Sequence, residues 1–116
     1  MVSTPEAAGP PVVKDIGVEE FAKLIGTKDR VLIDVRTPSE ISMGKIPGAQ
    51  ELDFNGPDFE SKMKSLAKDK EYLLYCRSGN RSGQAARMMQ KEGFPMVYNL
   101  DGGYLDWTNQ EDKAVQ

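Results

Sequence analysis

Two short apolar runs constrain the fold of this chain more than any other feature of its sequence. Residues 31–35 are Val-Leu-Ile-Asp-Val and residues 72–75 are Tyr-Leu-Leu-Tyr, a composition typical of strands buried on both faces. Residues 96–98, Met-Val-Tyr, predict a third strand. Helical patterns lie between these runs, and such alternation predicts an α/β fold with parallel strands and helices on both faces of the sheet.

The apolar residues between the strands recur at helical spacing, and the whole pattern suits one domain. A chain of 116 residues can bury one hydrophobic core but not two. We predict a flexible N-terminal tail at residues 1–15, a domain at residues 16–110 and a C-terminal tail at residues 111–116. The predicted helical segments are residues 18–25, one turn at 39–43, residues 58–66, a segment that packs Ala85, Met88 and Met89 in the core and ends at Gly93, and a last segment that packs Trp107.

Charge and hydropathy exclude several classes of partner. The net charge is −3 and the pI is near 5.0, whereas a nucleic-acid-binding surface is usually basic. No apolar run approaches the ~18 residues of a membrane span, and the first residues do not resemble a secretory signal. One cysteine cannot form an internal disulfide, so we predict a cytoplasmic protein. The sequence leaves the oligomeric state open.

The absence of histidine limits the possible chemistry. Without histidine there is no Ser-His-Asp or Cys-His catalysis and no imidazole zinc site. The spacing of the acidic residues matches no calcium loop. We therefore expect no metal and no cofactor, and any nucleophile must be activated in another way.

The segment Cys76-Arg-Ser-Gly-Asn-Arg-Ser82 lies between the second strand and a helix, where it can bind an anion. Gly79 can adopt backbone angles that other residues avoid, so the amides of residues 77–82 can converge, and the helix dipole adds positive potential. Cysteines in such places have a pKa of about 3.5 to 7.5, against about 8.5 for a free thiol. Four of the five arginines lie in this loop, its helix or the facing loop, namely Arg36, Arg77, Arg81 and Arg87.

The loops after the first two predicted strands should meet at one edge of the sheet, because both leave carboxyl ends of parallel strands. We interpret Asp34 and Arg36 as supporting residues that hold these loops together by charge and hydrogen bonding. Glu40 is interpreted as a solvated or helix-end acid and Lys45 as a solvated loop lysine. The Ser82 hydroxyl is interpreted as a helix N-cap.

Four segments resemble signatures of the rhodanese family, in family order: residues 32–36, 44–49, 76–82 and 100–107. The resemblance covers about residues 16 to 109. It implies a three-layer fold with a mostly parallel sheet of about five strands between helices. Glycines 102 and 103, in the last segment, are expected to permit a tight turn.

The resemblance also implies a ping-pong sulfurtransferase in which Cys76 carries a sulfane sulfur as a persulfide. The donor would be thiosulfate or a persulfide, and the acceptor a thiol or cyanide, including a protein thiol. Arg81, with Arg77 as a second candidate, would orient the charged oxygens of the donor. The implied substrate-binding residues are Arg77, Ser78, Gly79, Asn80, Arg81 and Ser82, with Ser78 and Asn80 acting through their backbone amides.

Three positions depart from the family pattern. The family commonly has histidine where this chain has Lys45, a small polar residue near Glu51, and an aromatic residue where this chain has Ile41. None of the three is the nucleophile, so the departures bear on rate and substrate rather than on mechanism.

Two other functions remain open. Phosphatases and arsenate reductases also place a thiolate in a loop closed by arginine, but such phosphatases have five residues between cysteine and arginine, whereas Cys76 and Arg81 have four between them. A non-catalytic binding module of the same fold is the second alternative. Such a module would be expected to lose the cysteine or the arginine, and both are present here.

Overall fold

A computed structural model describes residues 10–114 of the chain. Its centre is a five-stranded sheet in the order β1-β5-β4-β2-β3, and every neighbouring pair is parallel. The α/β fold and the sheet of about five strands predicted from the sequence are confirmed. The elements are β1 (Val12–Ile16), α1 (Val18–Leu24), β2 (Val31–Asp34), α2 (Pro38–Ile41), β3 (Gln50–Glu51), α3 (Phe59–Lys64), β4 (Tyr72–Tyr75), α4 (Asn80–Lys91), β5 (Met96–Leu100) and α5 (Gly103–Ala114).

Regular secondary structure extends into both predicted tails. Strand β1 begins at Val12, inside the segment assigned to the N-terminal tail, and pairs in register with β5 from Met96 to Leu100. Helix α5 continues to Ala114, past the predicted boundary at residue 110. Strand β1 lies at the edge of the sheet and has Lys14 and Asp15 exposed, so its apolar pattern is weak. The other tail residues, 1–9 and 115–116, lie outside the described residues.

The opposite edge strand, β3, was not predicted at all. It consists of Gln50 and Glu51, which pair with Ile33 and Asp34 of β2. Both residues of β3 are exposed, so no apolar run marks the strand. Strand β5 also continues two residues beyond the prediction, through Asn99 and Leu100.

The sheet separates two hydrophobic clusters, because successive residues of each strand face opposite sides. On one side, Ile33 and Leu74 pack with Met63 of α3 and Met89 of α4. On the other side, strand residues pack with α1 and α5, and Trp107 is partly buried there. Met88 is likewise partly buried against the first cluster, so the predicted core packing of the two methionines and the tryptophan is confirmed.

Two contacts bring the loop after β4 against the start of α5. The amide of Tyr104 donates to the carbonyl of Cys76 at 2.8 Å, and the amide of Leu105 donates to the carbonyl of Arg77 at 3.1 Å. A side chain at Gly103 would place its Cβ 2.3 Å from the Arg77 carbonyl oxygen, so only glycine permits this approach. Within residues 10–114, no helix has both the length and the apolarity to cross a membrane.

Candidate active site

The loop between β4 and α4 wraps backbone amides around the sulfur of Cys76. The amide of Gly79 donates to the Cys76 Sγ at 3.1 Å, and the amides of Ser78 and Ser82 lie close enough to the sulfur to help lower the pKa of the thiol. Gly79 has a φ of +100°, which lies in the left-handed region that favours glycine. Its absent Cβ would lie 3.2 Å from the backbone of Gly102 and Leu100. The arrangement predicted from the sequence, a curled loop with converging amides, is therefore present.

Two opposing effects act on the Cys76 thiol. Cys76 is 1% exposed, and this burial raises the pKa of the thiol. Hydrogen bonds from the Ser82 hydroxyl and from the amides of Ser82, Gly79 and Ser78 lower the pKa more, so the net shift is downward. Hydrogen bonds to the charged form favour ionisation even where water is excluded. The thiol is thus enclosed, but it is enclosed by donors.

The sequence suggested that Ser82 caps helix α4, but the structure shows that it does not. The N-cap of α4 is Gly79, and Ser82 lies inside the helix with no exposed surface. Its Oγ lies 3.4 Å from the Cys76 Sγ and 2.5 Å from Oδ1 of Asn99. The serine is buried because α4 packs this face against β4 and β5.

Asn99 was not recognised from the sequence. It is 4% exposed near the end of β5, and its Nδ2 donates to Asp15 Oδ1 at 2.9 Å and to the Gly79 carbonyl at 3.3 Å. It therefore connects the cysteine loop to the edge strand β1. A polar residue between Tyr98 and Leu100 in a buried strand was the available signal, because buried amides are retained where they are hydrogen-bonded.

Glu40 has a larger part in the site than the sequence indicated. Its two carboxylate oxygens each accept a hydrogen bond from the Arg81 guanidinium at 2.8 Å. Chiefly because of Arg81, the pKa of Glu40 falls to about 2. Glu40 also completes a capping box with Thr37 at the start of α2, which agrees with its interpretation as an acid at a helix terminus. Arg81, which was predicted to orient the donor, has both terminal nitrogens bound by this carboxylate.

Asp34 and Arg36 form a buried ion pair beside the loop. Arg36 Nη2 lies 2.7 Å from Asp34 Oδ2, and the two residues are 3% and 0% exposed. The guanidinium also donates to the Gly44 carbonyl at 2.8 Å and stacks 4.2 Å from the ring centre of Tyr104. The pair thus joins the loop after β2 to the start of α5, and its contribution to activity stays a prediction.

Lys45 is not simply solvated, because it pairs with another of the departing residues. Its Nζ lies 2.9 Å from Glu51 Oε2 and donates to the Ala49 carbonyl at 3.1 Å. Two of the three positions that depart from the family pattern therefore form one ion pair, between the loop after α2 and strand β3. The third, Ile41, ends the short helix α2 and is partly buried.

A small pocket of about 200 Å³ lies beside the cysteine loop, next to Arg77. Arg77 is exposed and has no ion-pair partner among the described residues. Met43 and Leu105, 87% and 48% exposed, are the large hydrophobic side chains that the described part leaves open to solvent, and both line this pocket. The remaining lining residues are Arg36, Glu40 and Tyr104.

The other predicted loop residue, Asn80, points its side chain along α4, where Oδ1 accepts from Gln84 Nε2 at 3.1 Å. Beside it, a shallow depression of about 370 Å³ includes Asp15 and Arg87, whose charges pair at 3.3 Å. The described residues contain no group of three or more histidine, cysteine, aspartate or glutamate side chains that could hold a metal ion.

Fold and site together define an α/β domain that holds a thiol, surrounded by hydrogen-bond donors, in a loop at the carboxyl edge of its sheet. A family model described as "Rhodanese-like domain" matches residues 17–110, and the chain belongs to that family.

Proteins named as sulfurtransferases are among its relatives. One from Allochromatium vinosum, named "Sulfurtransferase", is 38% identical over 97 residues, which cover 83% of this chain and 89% of that one. "Thiosulfate sulfurtransferase GlpE" of Pseudoalteromonas translucida is 30% identical over 103 residues, which cover 89% of this chain and 96% of that one. Among solved structures, a rhodanese-related protein from Thermoplasma volcanium superimposes with a TM-score of 0.73 at 28% identity and covers 84% of this chain and 92% of that one.

Proposed function

We propose that this protein is a sulfurtransferase that moves a sulfane sulfur from thiosulfate or a persulfide to a thiol or cyanide through a persulfide on Cys76. The observation that carries the proposal is the sulfur environment. The Gly79 amide and the Ser82 hydroxyl both donate toward a single buried thiol at 3.1 and 3.4 Å, and with the neighbouring amides of Ser78 and Ser82 they lower its pKa. An ionised thiol is a competent nucleophile and a good leaving group, and the transfer requires both properties.

The transfer balances without a proton-transfer residue. In the first half, the Cys76 thiolate attacks the outer sulfur of the donor, a new S–S bond forms, and the donor's S–S bond breaks with its electron pair leaving on sulfite or on a thiolate. In the second half, the acceptor attacks the outer sulfur and the Cys76 thiolate leaves. No histidine base is needed, in keeping with a chain that has none. The loop amides favour the anionic persulfide between the two halves.

The Arg81–Glu40 pair supports sulfur transfer over phosphatase chemistry. A phosphatase of the kind considered needs the loop arginine to bind the transferred phosphoryl group. Here both terminal nitrogens of Arg81 are bound at 2.8 Å by Glu40, which accepts in the same forked geometry as a phosphate. The spacing of four residues between Cys76 and Arg81 points the same way.

The pocket beside the loop supports an organic thiol as acceptor. Met43 and Leu105 offer apolar contact, and Arg77 offers a positive charge. A volume of about 200 Å³ is small for enclosing a whole ligand, since small-molecule sites are commonly about 300–1,000 Å³. Methionine and arginine are also enriched at protein interfaces. A cysteine thiol carried on a partner protein therefore fits this surface. The proposal also includes a cytoplasmic location, where thiols stay reduced.

The test is the mass of the protein after incubation with thiosulfate. We expect one added sulfur atom on the wild type and none on Cys76→Ser, together with turnover when cyanide or glutathione is supplied. The chain has no other cysteine, so the assignment of the added atom is unambiguous. An unmodified wild type that also fails with glutathione persulfide would favour the non-catalytic module. Phosphate release from an aryl phosphate ester would favour the phosphatase.

A further inference from the structure

The buried Ser82 hydroxyl has one proton and two acceptors. Its Oγ donates toward Oδ1 of Asn99 at 2.5 Å and toward the Cys76 sulfur at 3.4 Å. A hydroxyl donates one hydrogen bond at a time. Ser82 has no exposed surface, and Cys76 and Asn99 are 1% and 4% exposed. Water therefore does not replace the hydroxyl as the donor to whichever acceptor it leaves. The two acceptors therefore compete for the same proton.

The orientation of the Asn99 amide is set by its other neighbours. Nδ2 faces two groups that only accept, the Asp15 carboxylate at 2.9 Å and the Gly79 carbonyl at 3.3 Å. Turning the amide over would point Oδ1 at both of them, which is unfavourable. Oδ1 is consequently held toward Ser82, and Asn99 offers the hydroxyl a permanent alternative to the sulfur.

We propose that the Ser82 hydroxyl is a catalytic group that moves its hydrogen bond between the Cys76 sulfur and Asn99 during sulfur transfer, with Asn99 as the positioning residue that draws it back. The transfer steps rest on the proposed function. When Cys76 is a thiolate, the hydroxyl donates to the sulfur and Asn99 loses its donor. When Cys76 is a persulfide, the charge lies on the outer sulfur, the inner sulfur no longer needs a donor, and the hydroxyl returns to Asn99. The proton stays on the serine oxygen throughout.

This exchange favours turnover because it does not stabilise only one form of the enzyme. A hydroxyl fixed on the sulfur would stabilise the thiolate in every cycle and oppose its conversion to the persulfide. With Asn99 available, the hydrogen bond that the sulfur loses is replaced by another, so the two forms are closer in free energy. Such balance suits a protein that must both accept and release sulfur.

Other charged groups also bear on ionisation of the thiol and must be kept constant in any test. Arg81 interacts with Cys76 directly through space. The charged residues around the loop are Arg81 and Arg87 on α4, Glu40 on α2, Asp34 at the end of β2, Arg36 after it, Asp53, Asp15 on β1, Asp101 after β5, and Arg77. The variants below remove neutral groups only, so none of these charges changes.

The experiment measures the rate of Cys76 alkylation by iodoacetamide against pH. The chain has a single cysteine, so the rate reports on this thiol alone. Ser82→Ala should raise the midpoint of the rate against pH by about one unit. In the wild type the hydroxyl stabilises the thiolate by donating to sulfur more than it stabilises the neutral thiol form by donating to Asn99. The substitution removes both hydrogen bonds, so the thiolate loses more. Asn99→Leu, which removes the competing acceptor at similar volume, should lower the midpoint by about half a unit. In the double variant the Asn99 effect should vanish, because it acts through the hydroxyl.

Shifts of opposite sign separate this role from a merely structural one, which would move both variants in the same direction. Ser82→Thr keeps a hydroxyl and should restore the wild-type midpoint, and Ser61→Ala removes an exposed hydroxyl on α3 as a matched control. An unchanged midpoint in Ser82→Ala, an upward shift in Asn99→Leu, or an Asn99 effect that persists without Ser82 would each overturn the proposal. If Ser82→Ala does not fold, Asn99→Leu alone decides. Alkylation requires no sulfur transfer, so these results are independent of the thiosulfate test.

Discussion

Replacing Asp34 by asparagine tests how much the buried ion pair beside the site contributes to stability. Asp34 accepts hydrogen bonds from the Arg36 amide at 2.9 Å, from Nε at 3.0 and 3.1 Å, and from Nη2 at 2.7 Å. The substitution keeps the shape and removes the charge. Arg36, 3% exposed, is left as an uncompensated buried cation, a situation that costs about 3–5 kcal/mol. Domains are stable by about 5–15 kcal/mol, so this is a large fraction of the total.

Urea unfolding followed by circular dichroism measures the loss. With a slope of about 1–3 kcal/mol per molar, a loss of about 4 kcal/mol lowers the midpoint by about 2 M. Glu51→Gln is the matched control, because it makes the same change of carboxylate to amide in a pair whose side chains are 34% and 52% exposed. An exposed pair contributes about 0–1 kcal/mol. Equal losses in Asp34→Asn and Glu51→Gln would refute the reasoning that burial decides the value of these pairs.

Three further predictions follow from the same structure. Glu40→Gln should be less stable than the wild type at pH 7, because the amide cannot form the ion pair with Arg81. The wild type should lose stability as the pH falls from 4.5 to about 2, where Glu40 takes up a proton, and the variant should lack this Glu40-dependent loss; urea midpoints measured against pH test both. The double variant Met43→Ser and Leu105→Ser should raise KM for a protein thiol several-fold and leave KM for cyanide unchanged in steady-state assays. Gly103→Ala would place its Cβ 2.3 Å from a carbonyl oxygen, whereas Gly26→Ala would place its Cβ in open space. Thermal or urea unfolding should show that Gly103→Ala lowers the free energy of unfolding by several times the roughly 1 kcal/mol expected for Gly26→Ala.

The sequence predicted the parts of the fold that are buried on both faces. Strands β2 and β4 are nearly continuous apolar runs because helices cover both of their surfaces, and such runs are visible without an alignment. The edge strands carry less of that signal. Strand β1 was assigned to a tail, and β3, with Gln50 and Glu51 both exposed, was missed. Pairing at an edge depends on the neighbouring strand, which a local pattern does not contain.

The candidate site divides in the same way. The curled loop and its converging amides could be predicted, because glycine, position before a helix and backbone geometry are local properties. The partners of the side chains could not. Glu40 and Arg81 are 41 residues apart and Ser82 and Asn99 are 17 apart, so both contacts depend on how elements pack. The interpretation of Ser82 as a cap fails for this reason, since its local position allows a cap and only the tertiary structure excludes it.

The electrostatics of the site also differ from what the count of arginines suggests. Three of the four arginines gathered here are paired with carboxylates: Arg36 with Asp34, Arg81 with Glu40, and Arg87 with Asp15. Arg77 is left as the cation of this group without an ion-pair partner among the described residues. In the proposed transfer, attraction of an anionic donor would therefore rest on the loop amides, the start of α4 and Arg77. Backbone amides carry no net charge, so salt should weaken the encounter with thiosulfate only to the extent that Arg77 contributes to it. Arg77→Ala should therefore remove most of the salt dependence of the reaction rate. The persulfide should still form in this variant, because the loop amides stabilise it.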